Sequence, residues 1–236
     1  MQKAAFITGT SRGIGKAIAE LLLSEKYQVF GYSRTNTIDH PNFVFTRINL
    51  SDLEKVRMIN FPKFNRAKVI LINNAASIGD ISPLNIKNTK GIINDYNLNI
   101  ITPTLLCANF INTFNNSNKM IINISSGAAN SAVPSWSTYC ATKASLDALT
   151  NVIAAEHHRD LRVYSISPGI VDTKMQEEIR DAHPDLFPFL DKFVNYYANN
   201  ELEDPTIIAQ KLLYIIQNTN KFDQNIVSIR NIDIKQ

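Results

Sequence analysis

The stretch TGTSRGIG at residues 8–15 decides the fold. It closes the apolar run KAAFITG at 3–9 and opens a segment with helical periodicity, so it lies where a first strand turns into a first helix. Gly9 allows a tight turn, Gly13 lets a backbone approach a pyrophosphate, and Gly15 lets helix and strand pack closely. Free N–H groups at the start of the helix attract anionic oxygens. The turn therefore predicts a dinucleotide site formed by Gly9, Thr10, Ser11, Arg12, Gly13, Ile14 and Gly15.

The rest of the chain repeats this alternation of strand and helix. Short runs rich in Val, Ile and Phe fit strands buried on both faces, and the segments between them carry apolar residues at helical spacing. Alternation of this kind predicts one α/β domain over residues 1–236, a Rossmann-type, doubly wound parallel sheet of about seven strands with helices on both faces. Pro103 is expected to bend or interrupt the fourth helical segment. The predicted strands are 3–9, 27–33, 43–50, 68–75, 119–126, 162–169 and 225–232, and the helical segments after the first are 51–60, 87–116, 135–158 and 205–217.

Residues 172–204 break the alternation. This segment is too long for an ordinary connection and carries two prolines and five aromatic residues. Long excursions of this kind are often lids or binding loops, so we expect a substrate lid around 172–204. The alternative, given equal weight, is that its aromatic residues only cover the edge of the core.

Composition excludes several classes of protein. The 236 residues are 44% hydrophobic and 19% charged, and the net charge of +3 comes from scattered cations rather than a basic cluster, so no nucleic-acid partner is expected. Neither a leader-like run nor an apolar stretch long enough for a membrane span is seen, so no membrane contact is expected. Cys107 and Cys140 are too few for a disulfide framework, which favours the cytoplasm. The four histidines are dispersed and predict no metal site.

Two arginines bear on which dinucleotide is bound. Folds that prefer NAD place an acid near the end of the second strand, where this chain has Arg34 in GYSRT. A guanidinium binds a 2′-phosphate through charge-assisted hydrogen bonds, and Arg12 in the glycine turn can supply a second cation. The pair favours NADP(H) over NAD, although either arginine alone could be a solvated surface charge.

Tyr139 and Lys143 stand four residues apart in STYCATKAS at 137–145. On a helix these positions face the same way, so both side chains can project into one cleft. A tyrosine and a lysine at this spacing, taken alone, more often have a structural role than a catalytic one. Here it follows the fifth strand, whose carboxyl end borders the crevice of an open parallel sheet.

At this point the chain resembles the short-chain dehydrogenase/reductase family along nearly its whole length. The matching elements are TGTSRGIG, NNAA at 73–76, Asn99 in NLNI, Ser126 in NISSG, YCATK at 139–143 and SPGIVDT at 167–173. The sequence within and around these motifs is similar to that of the branch that contains sepiapterin reductase and bacterial benzil reductase. The resemblance implies a catalytic tetrad of Asn99, Ser126, Tyr139 and Lys143.

The resemblance also implies a role for each of these residues. Tyr139 would protonate a carbonyl oxygen as hydride arrives from the nicotinamide, Ser126 would hold that oxygen, and Lys143 would grip the nicotinamide ribose and favour the charged phenol. Asn99 would hold a water that connects the lysine to solvent. Ordinary capping or turn chemistry is the alternative for Ser126 and Asn99. Further cofactor contacts are expected from Leu50, Asn74, Ala75, Ala76, Pro168, Gly169, Val171 and Thr173.

These features together predict an NADPH-dependent carbonyl reductase that acts on a small-molecule ketone or 1,2-diketone. Trp136, Met175, Phe187 and Phe189 are expected to wall its pocket, although Trp136 could equally lie in the core or an interface. The alternatives are a 3-oxoacyl-carrier-protein reductase or hydroxysteroid-type dehydrogenase and, in another class, a non-catalytic dinucleotide-sensing protein. From the resemblance, we expect a homodimer or homotetramer built on the helices around 87–116 and 135–158.

Overall fold

Seven strands form one parallel sheet in the computed structural model, which describes residues 2–64, 67–230 and 232–233. The strands are β1 (Lys3–Thr8), β2 (Gln28–Ser33), β3 (Phe43–Arg47), β4 (Lys68–Asn73), β5 (Asn118–Ile124), β6 (Leu161–Ser167) and β7 (Ile226–Ser228). All seven lie at positions predicted from the sequence, with boundaries that differ by up to four residues. Asn231, inside the last predicted strand, and the ends of the predicted 1–236 domain, residues 1 and 234–236, lie outside the described residues.

The strand order is β3-β2-β1-β4-β5-β6-β7, and every neighbouring pair is parallel. The order reverses between β1 and β4, because the chain winds outward from β1 in one direction and then crosses back to β4. In open parallel sheets, ligands bind beyond the carboxyl ends of the strands at such a reversal. The Rossmann-type fold expected from the sequence is confirmed, and it places the glycine turn after β1 at this point.

Eight α-helices connect and cover the strands in the described part of the chain. They are α1 (Gly13–Ser24), α2 (Leu53–Arg57), α3 (Thr89–Tyr96), α4 (Thr102–Thr113), α5 (Ser137–Ala155), α6 (Lys174–Arg180), α7 (Leu190–Ala198) and α8 (Pro205–Gln217). Side chains of β1 alternate between two apolar cores: Ala5 and Ile7 pack with α1 and α8 on one face, and Ala4 and Phe6 pack with α4 on the other. Both faces of the sheet are therefore buried, as the near-continuous apolar runs predicted.

Phe6 is the centre of the second core. Its ring lies 4.9 Å from the ring of Phe30, 4.8 Å from that of Phe61 and 5.5 Å from that of Phe114, measured between centroids. Offset and edge-to-face ring pairs add to the free energy of burial. This cluster fixes α4 and the end of α2 against β1 and β2, on the face of the sheet that also carries α5.

The predicted interruption at Pro103 takes the form of a wider helical turn. Residues Asn97–Ile101 form a π-helical turn between α3 and α4, and Pro103 occupies the first turn of α4, where its lack of an N–H costs least. Single π turns inside helices are frequent at functional sites. This one carries Asn99.

Segment 172–204 contains α6 and α7, follows the turn after β6 and returns to that turn through the Val171–Glu203 bridge. A third apolar cluster joins it to the start of α5, where Trp136 stacks on Phe187 at 5.6 Å between centroids with 14° between the ring planes. Ser135 adds a hydrogen bond of 2.5 Å from its hydroxyl to the Leu186 carbonyl. Phe187 and Phe193 of the segment therefore pack against the start of the helix that carries Tyr139.

Within residues 2–64, 67–230 and 232–233, no helix is both long enough and apolar enough to cross a bilayer.

Candidate active site

The glycine turn brings the end of β1 and the start of α1 close together. Gly9 has φ of +76°, a backbone conformation that side-chain-bearing residues rarely adopt. A Cβ at Gly15 would lie 2.2 Å from the Gly9 carbonyl oxygen. Both positions therefore require glycine, as predicted. The Arg12 side chain does not cap α1, so the first N–H groups of this helix remain available to an anion.

The end of β4 is tied to this turn by Asn74. Its side-chain amide donates to the Thr8 carbonyl at 2.9 Å and to the Gly9 carbonyl at 3.2 Å. In return, the Thr8 hydroxyl oxygen accepts from the backbone N–H groups of Asn74 at 2.9 Å and Ala75 at 3.0 Å. Asn74 was predicted only to pass beside the cofactor. The structure shows in addition that it fixes the turn to the neighbouring strand.

The two arginines lie at the same end of the cleft but differ in their contacts. Arg34 is exposed and its side chain makes no ion pair with any described residue, while its carbonyl accepts from Arg47 Nε at 3.1 Å. Arg12 lies 3.8 Å from Glu178 on α6, with both side chains well exposed. An exposed pair at this separation contributes little stability, so both guanidinium groups remain available to an anionic ligand.

Tyr139 and Lys143 meet at the opposite end of the cleft. Both lie on the inward face of α5 and are buried, with exposed fractions of 7% and 3%. Lys143 Nζ lies 5.6 Å from the centre of the Tyr139 ring and donates to the Ile124 carbonyl at the end of β5 at 2.7 Å. Ser126, two residues after that strand, lines the cleft beside Tyr139, and its hydroxyl oxygen accepts from the Ala128 N–H at 3.1 Å.

Burial shifts the pKa of both groups. Desolvation raises the pKa of Tyr139 to about 12, with the neighbouring Ser126 hydroxyl acting in the opposite direction. Desolvation lowers the pKa of Lys143 to about 8, with the negative charge of Asp147 acting in the opposite direction. The sequence led us to expect that Lys143 favours the charged phenol, whereas burial is the larger influence on Tyr139 in this structure. Tyr139 therefore holds its proton at neutral pH.

Asn99 lies behind the cleft wall. Its exposed fraction is 1%, and its amide is fully engaged: the oxygen accepts from the Ser77 N–H at 2.9 Å, and the nitrogen donates to the Ser77 carbonyl at 2.9 Å and to the Thr142 hydroxyl at 3.2 Å. The π turn thus fastens the loop after β4 to α5. The water-holding role expected of Asn99 stays a prediction.

The turn after β6 closes the cleft from the other side. Gly169 has φ of +88°, and the Arg230 side chain packs over it. Val171 forms an isolated bridge with Glu203, which pins the end of segment 172–204 to this turn. Thr173 precedes α6, and its methyl group lies 3.1 Å from the position that a Cβ at Gly13 would occupy. The glycine turn and the turn after β6 therefore lie close together, and a side chain at Gly13 would meet Thr173.

One cleft of about 1120 Å³ runs from the arginines to Tyr139. It is large enough for a dinucleotide together with a small substrate. Three of the predicted site residues do not line it: Thr10 is buried against Ser33, Gly15 lies beneath the Gly9 carbonyl, and Asn99 lies behind the wall. Those that do line it are Gly9, Ser11, Arg12, Gly13, Ile14, Arg34, Leu50, Asn74, Ala75, Ala76, Ser126, Tyr139, Lys143, Pro168, Gly169, Val171 and Thr173.

The wall beside Tyr139 is aromatic and apolar. Trp136 and Met175 line it as predicted, and the Trp136 ring meets the Tyr139 ring edge-on at 5.7 Å. Phe187 instead lies fully buried, stacked on Trp136, and Phe189, just before α7, is 39% exposed; neither lines the cleft. Further wall residues come from Ile78, Val133, Ile179, Phe193 and Tyr196.

Some lining residues were not predicted. Asp147 lies one turn beyond Lys143 on α5, and its i+4 spacing could have indicated the shared face. Arg230 follows the last strand and Lys192 lies on α7, and no motif marks either of them. Their positions depend on how β7 and segment 172–204 return to the cleft.

No cluster of three or more His, Cys, Asp or Glu side chains suited to a metal ion occurs among the residues that the structure describes.

Comparison with known proteins gives one family match, two related proteins and one similar structure. A family model described as short chain dehydrogenase matches residues 3–184. A benzil reductase ((S)-benzoin forming) of Bacillus cereus is 30% identical over 238 residues, covering 92% of this chain and 95% of that protein. A sepiapterin reductase of Rattus norvegicus is 32% identical over 239 residues, covering 89% and 90%. The crystal structure of a short chain dehydrogenases/reductase from Saccharomyces cerevisiae superposes with a TM-score of 0.85 at 22% identity, covering 97% and 96%, and supports the fold alone.

Proposed function

Because this chain belongs to the short-chain dehydrogenase family, we propose that it is an NADPH-dependent carbonyl reductase that transfers hydride to a ketone or 1,2-diketone. Membership makes it an oxidoreductase that acts on CH–OH or C=O groups with a nicotinamide dinucleotide. The predicted resemblance to the branch with benzil and sepiapterin reductases is confirmed. The cofactor preference, the site residues and the substrate are the proposed part.

The observation that carries the proposal is the pairing of Tyr139 with Ser126 and Lys143 at one end of a cleft whose other end is a phosphate-binding turn. The residues of that turn fit a dinucleotide, because Gly9 and Gly13 line the cleft without side chains and the Arg12 side chain leaves the first N–H groups of α1 uncapped. Gly9, Ser11 and Gly13 would hold the pyrophosphate, and Lys143 the nicotinamide ribose.

The side chains supply the proton chemistry of the proposed reduction. When bound, NADPH supplies hydride from its nicotinamide ring. Tyr139 keeps its proton at neutral pH, since burial raises its pKa to about 12, and can deliver it to a carbonyl oxygen that becomes more basic as negative charge develops. Ser126 accepts from the Ala128 N–H, which leaves its own O–H free to act as a second donor to that oxygen. Lys143 is held in place by the Ile124 carbonyl.

The preference for NADPH rests on Arg12 and Arg34. Among the described residues Arg34 has no competing ion pair, and Arg12 has an exposed contact with Glu178 at 3.8 Å. A 2′-phosphate at this end of the cleft would accept charge-assisted hydrogen bonds from both guanidinium groups. Because this position holds Arg34 and not an aspartate, no carboxylate there accepts a hydrogen bond from the ribose 2′-hydroxyl of NADH.

The apolar wall beside Tyr139 supports a carbonyl flanked by a ring. Trp136, Phe193 and Tyr196 offer aromatic faces and edges on one side, and Met175 adds an adaptable thioether. The two relatives most informative here are a benzil reductase and a sepiapterin reductase, as their names state. A ketone or 1,2-diketone next to an aromatic ring is the substrate class that such a wall favours.

The test is turnover of a carbonyl panel by the wild-type protein and by Tyr139→Phe, followed through the absorbance of NADPH. The panel contains an aromatic 1,2-diketone, a pterin side-chain ketone, a 3-oxoacyl thioester and a steroid ketone. Tyr139→Phe should lower kcat by about 10²–10⁴-fold because the proton donor is lost, while NADPH affinity changes little. The matched control is Tyr164→Phe, since Tyr164 is a buried tyrosine of β6 whose hydroxyl donates to the Thr219 carbonyl away from the cleft.

Each alternative has its own outcome. Full activity of Tyr139→Phe would refute the proposed chemistry. A preference for the thioester or the steroid would favour the other enzyme classes over a diketone reductase. Tight NADPH binding with no turnover of any carbonyl would favour a dinucleotide-sensing protein.

We also propose a homodimer or homotetramer that uses the helices around 87–116 and 135–158. Apolar side chains on these helices are solvent-exposed: Ile93 by 54%, Ile101 by 38% and Val152 by 56%. Burying them in a helix-to-helix interface would remove apolar surface from water. Light scattering measures the assembly, and a monomer at all concentrations would refute it.

A further inference from the structure

Asp147 lies on the same face of α5 as Tyr139 and Lys143, one helical turn beyond the lysine, and it lines the same cleft. Its carboxylate accepts a hydrogen bond of 2.5 Å from the Ser165 hydroxyl, and Ser165 is a fully buried residue of β6. The acid is therefore anchored to the sheet rather than free to turn toward solvent. Neither the family motifs nor the chemistry described above gives it a role.

Lys143 needs such a partner because of where its ammonium group lies. Its side chain is 3% exposed, and its hydrogen bond goes to a neutral acceptor, the Ile124 carbonyl. A buried ammonium with only neutral partners loses its proton readily, since burial disfavours the charged form. A neutral lysine would donate fewer hydrogen bonds to a ribose and would place no positive charge beside Tyr139.

The charges around Lys143 are few. The elements packed against α5 are α3, the π turn, the turn Gly127–Asn130, β6 and β7. Their ionisable groups are Lys90, Asp95 and Tyr96 on α3 and Arg162 and Tyr164 on β6, in addition to Tyr139 and Cys140 on α5 itself. Of all described ionisable groups, Asp147 is the one whose charge favours the protonated form of Lys143.

We infer that Asp147, anchored by Ser165, is a positioning residue that holds Lys143 in its charged, ribose-binding form. This inference rests on the proposed function, because it assigns the charge of Lys143 to cofactor binding and proton transfer. The carboxylate acts through space, since the two side chains form no ion pair within 4.0 Å. Such an arrangement leaves the ammonium free to face the cleft instead of being taken up by a salt bridge.

The experiment is the affinity for NADPH as a function of pH, measured by fluorescence titration from about pH 6 to about pH 9. In the wild-type protein, affinity should fall as Lys143 loses its proton near its pKa of about 8. Asp147→Asn should move this fall to lower pH by on the order of half a unit to one unit, because the stabilising negative charge is gone. Asp147→Glu, which keeps the charge, should stay closer to the wild type.

The control is Glu156→Gln, which removes the same charge just past the end of α5. Glu156 is exposed and its carboxylate contacts His158 at 2.8 Å, so this variant should leave the titration unmoved. In a Lys143→Met background, Asp147→Asn should add no further pH dependence, since the titrating group is missing.

Two results would overturn the inference: an Asp147→Asn curve that coincides with the wild type, or one that is weakened equally at every pH, which indicates a purely structural residue. The binding assay is independent of turnover. A protein that shows the predicted pH shifts but reduces no carbonyl would refute the proposed function and leave this inference standing.

Discussion

Replacing Lys143 by methionine should remove a pH dependence from the stability of the whole protein. The buried ammonium has a pKa of about 8 in the folded protein, against 10.5 for a free lysine. Between these two values the folded protein has released the proton while the unfolded chain still holds it, so unfolding takes up a proton and stability rises with pH. From about pH 7 to about pH 9.5 the gain is about 2 kcal/mol.

Tyr139 does not mask this effect. Its folded pKa of about 12 lies above its ordinary value of 10.0, so the stability it contributes is complete below that ordinary value and is lost only as the pH rises toward 12. Other groups that titrate between neutral and mildly alkaline pH are common to the wild-type protein and the variant. Their contributions cancel when the two are compared.

The assay is urea unfolding of the wild-type protein and Lys143→Met at both pH values. The rise in the free energy of unfolding with pH should be smaller in the variant by about 2 kcal/mol. Lys90→Met, which removes an exposed lysine of α3, should behave like the wild type. Equal rises in the wild type and Lys143→Met would show that the ammonium is not held in the dry environment that the structure describes.

Three further predictions concern the cofactor and the apolar wall. Arg34→Asp should lower the affinity for NADPH relative to NADH by about 10–100-fold, because charge-assisted hydrogen bonds to the 2′-phosphate are lost. Arg159→Asp, at an exposed arginine, is the control, and an unchanged ratio of KM values for the two cofactors would contradict the prediction. Gly15→Ala should abolish tight cofactor binding in a calorimetric titration, because the added Cβ would lie 2.2 Å from the Gly9 carbonyl oxygen and displace the glycine turn. Wild-type affinity in this variant would refute the close approach of Gly15 to Gly9. Trp136→Ala should cost about 3–5 kcal/mol in urea unfolding. Tyr197→Ala, at a side chain that is 55% exposed, should cost far less, and similar costs would contradict the assigned packing.

The sequence was most informative where one local rule has one structural solution. The TGTSRGIG turn needs positive φ at Gly9 and no side chain at Gly15, and both requirements appear in the structure. The i+4 spacing of Tyr139 and Lys143 fixes their common face as soon as the segment is a helix. Seven apolar runs separated by helical patterns admit few topologies, because parallel crossovers are right-handed.

Sequence reasoning was weaker where a property depends on distant parts of the chain. Asn74 was expected to contact cofactor, yet its amide also ties β4 to the glycine turn, a bond that exists only because β1 and β4 are neighbours. Phe187 was expected in the pocket wall and lies behind Trp136, since the path of segment 172–204 decides which aromatic faces the cleft.

What the sequence determined by itself is the α/β architecture and the group of residues that meet at the carboxyl end of the sheet, because the alternation of apolar runs with helical periodicity is a short-range pattern. Only the tertiary structure decided the environment of that group. Burial outweighs any influence of Lys143 on the pKa of Tyr139. The charge that favours the protonated form of Lys143 is that of Asp147, which is hydrogen-bonded to Ser165 on β6. Burial and through-space charge depend on every element that packs around a residue, and no local motif contains that information.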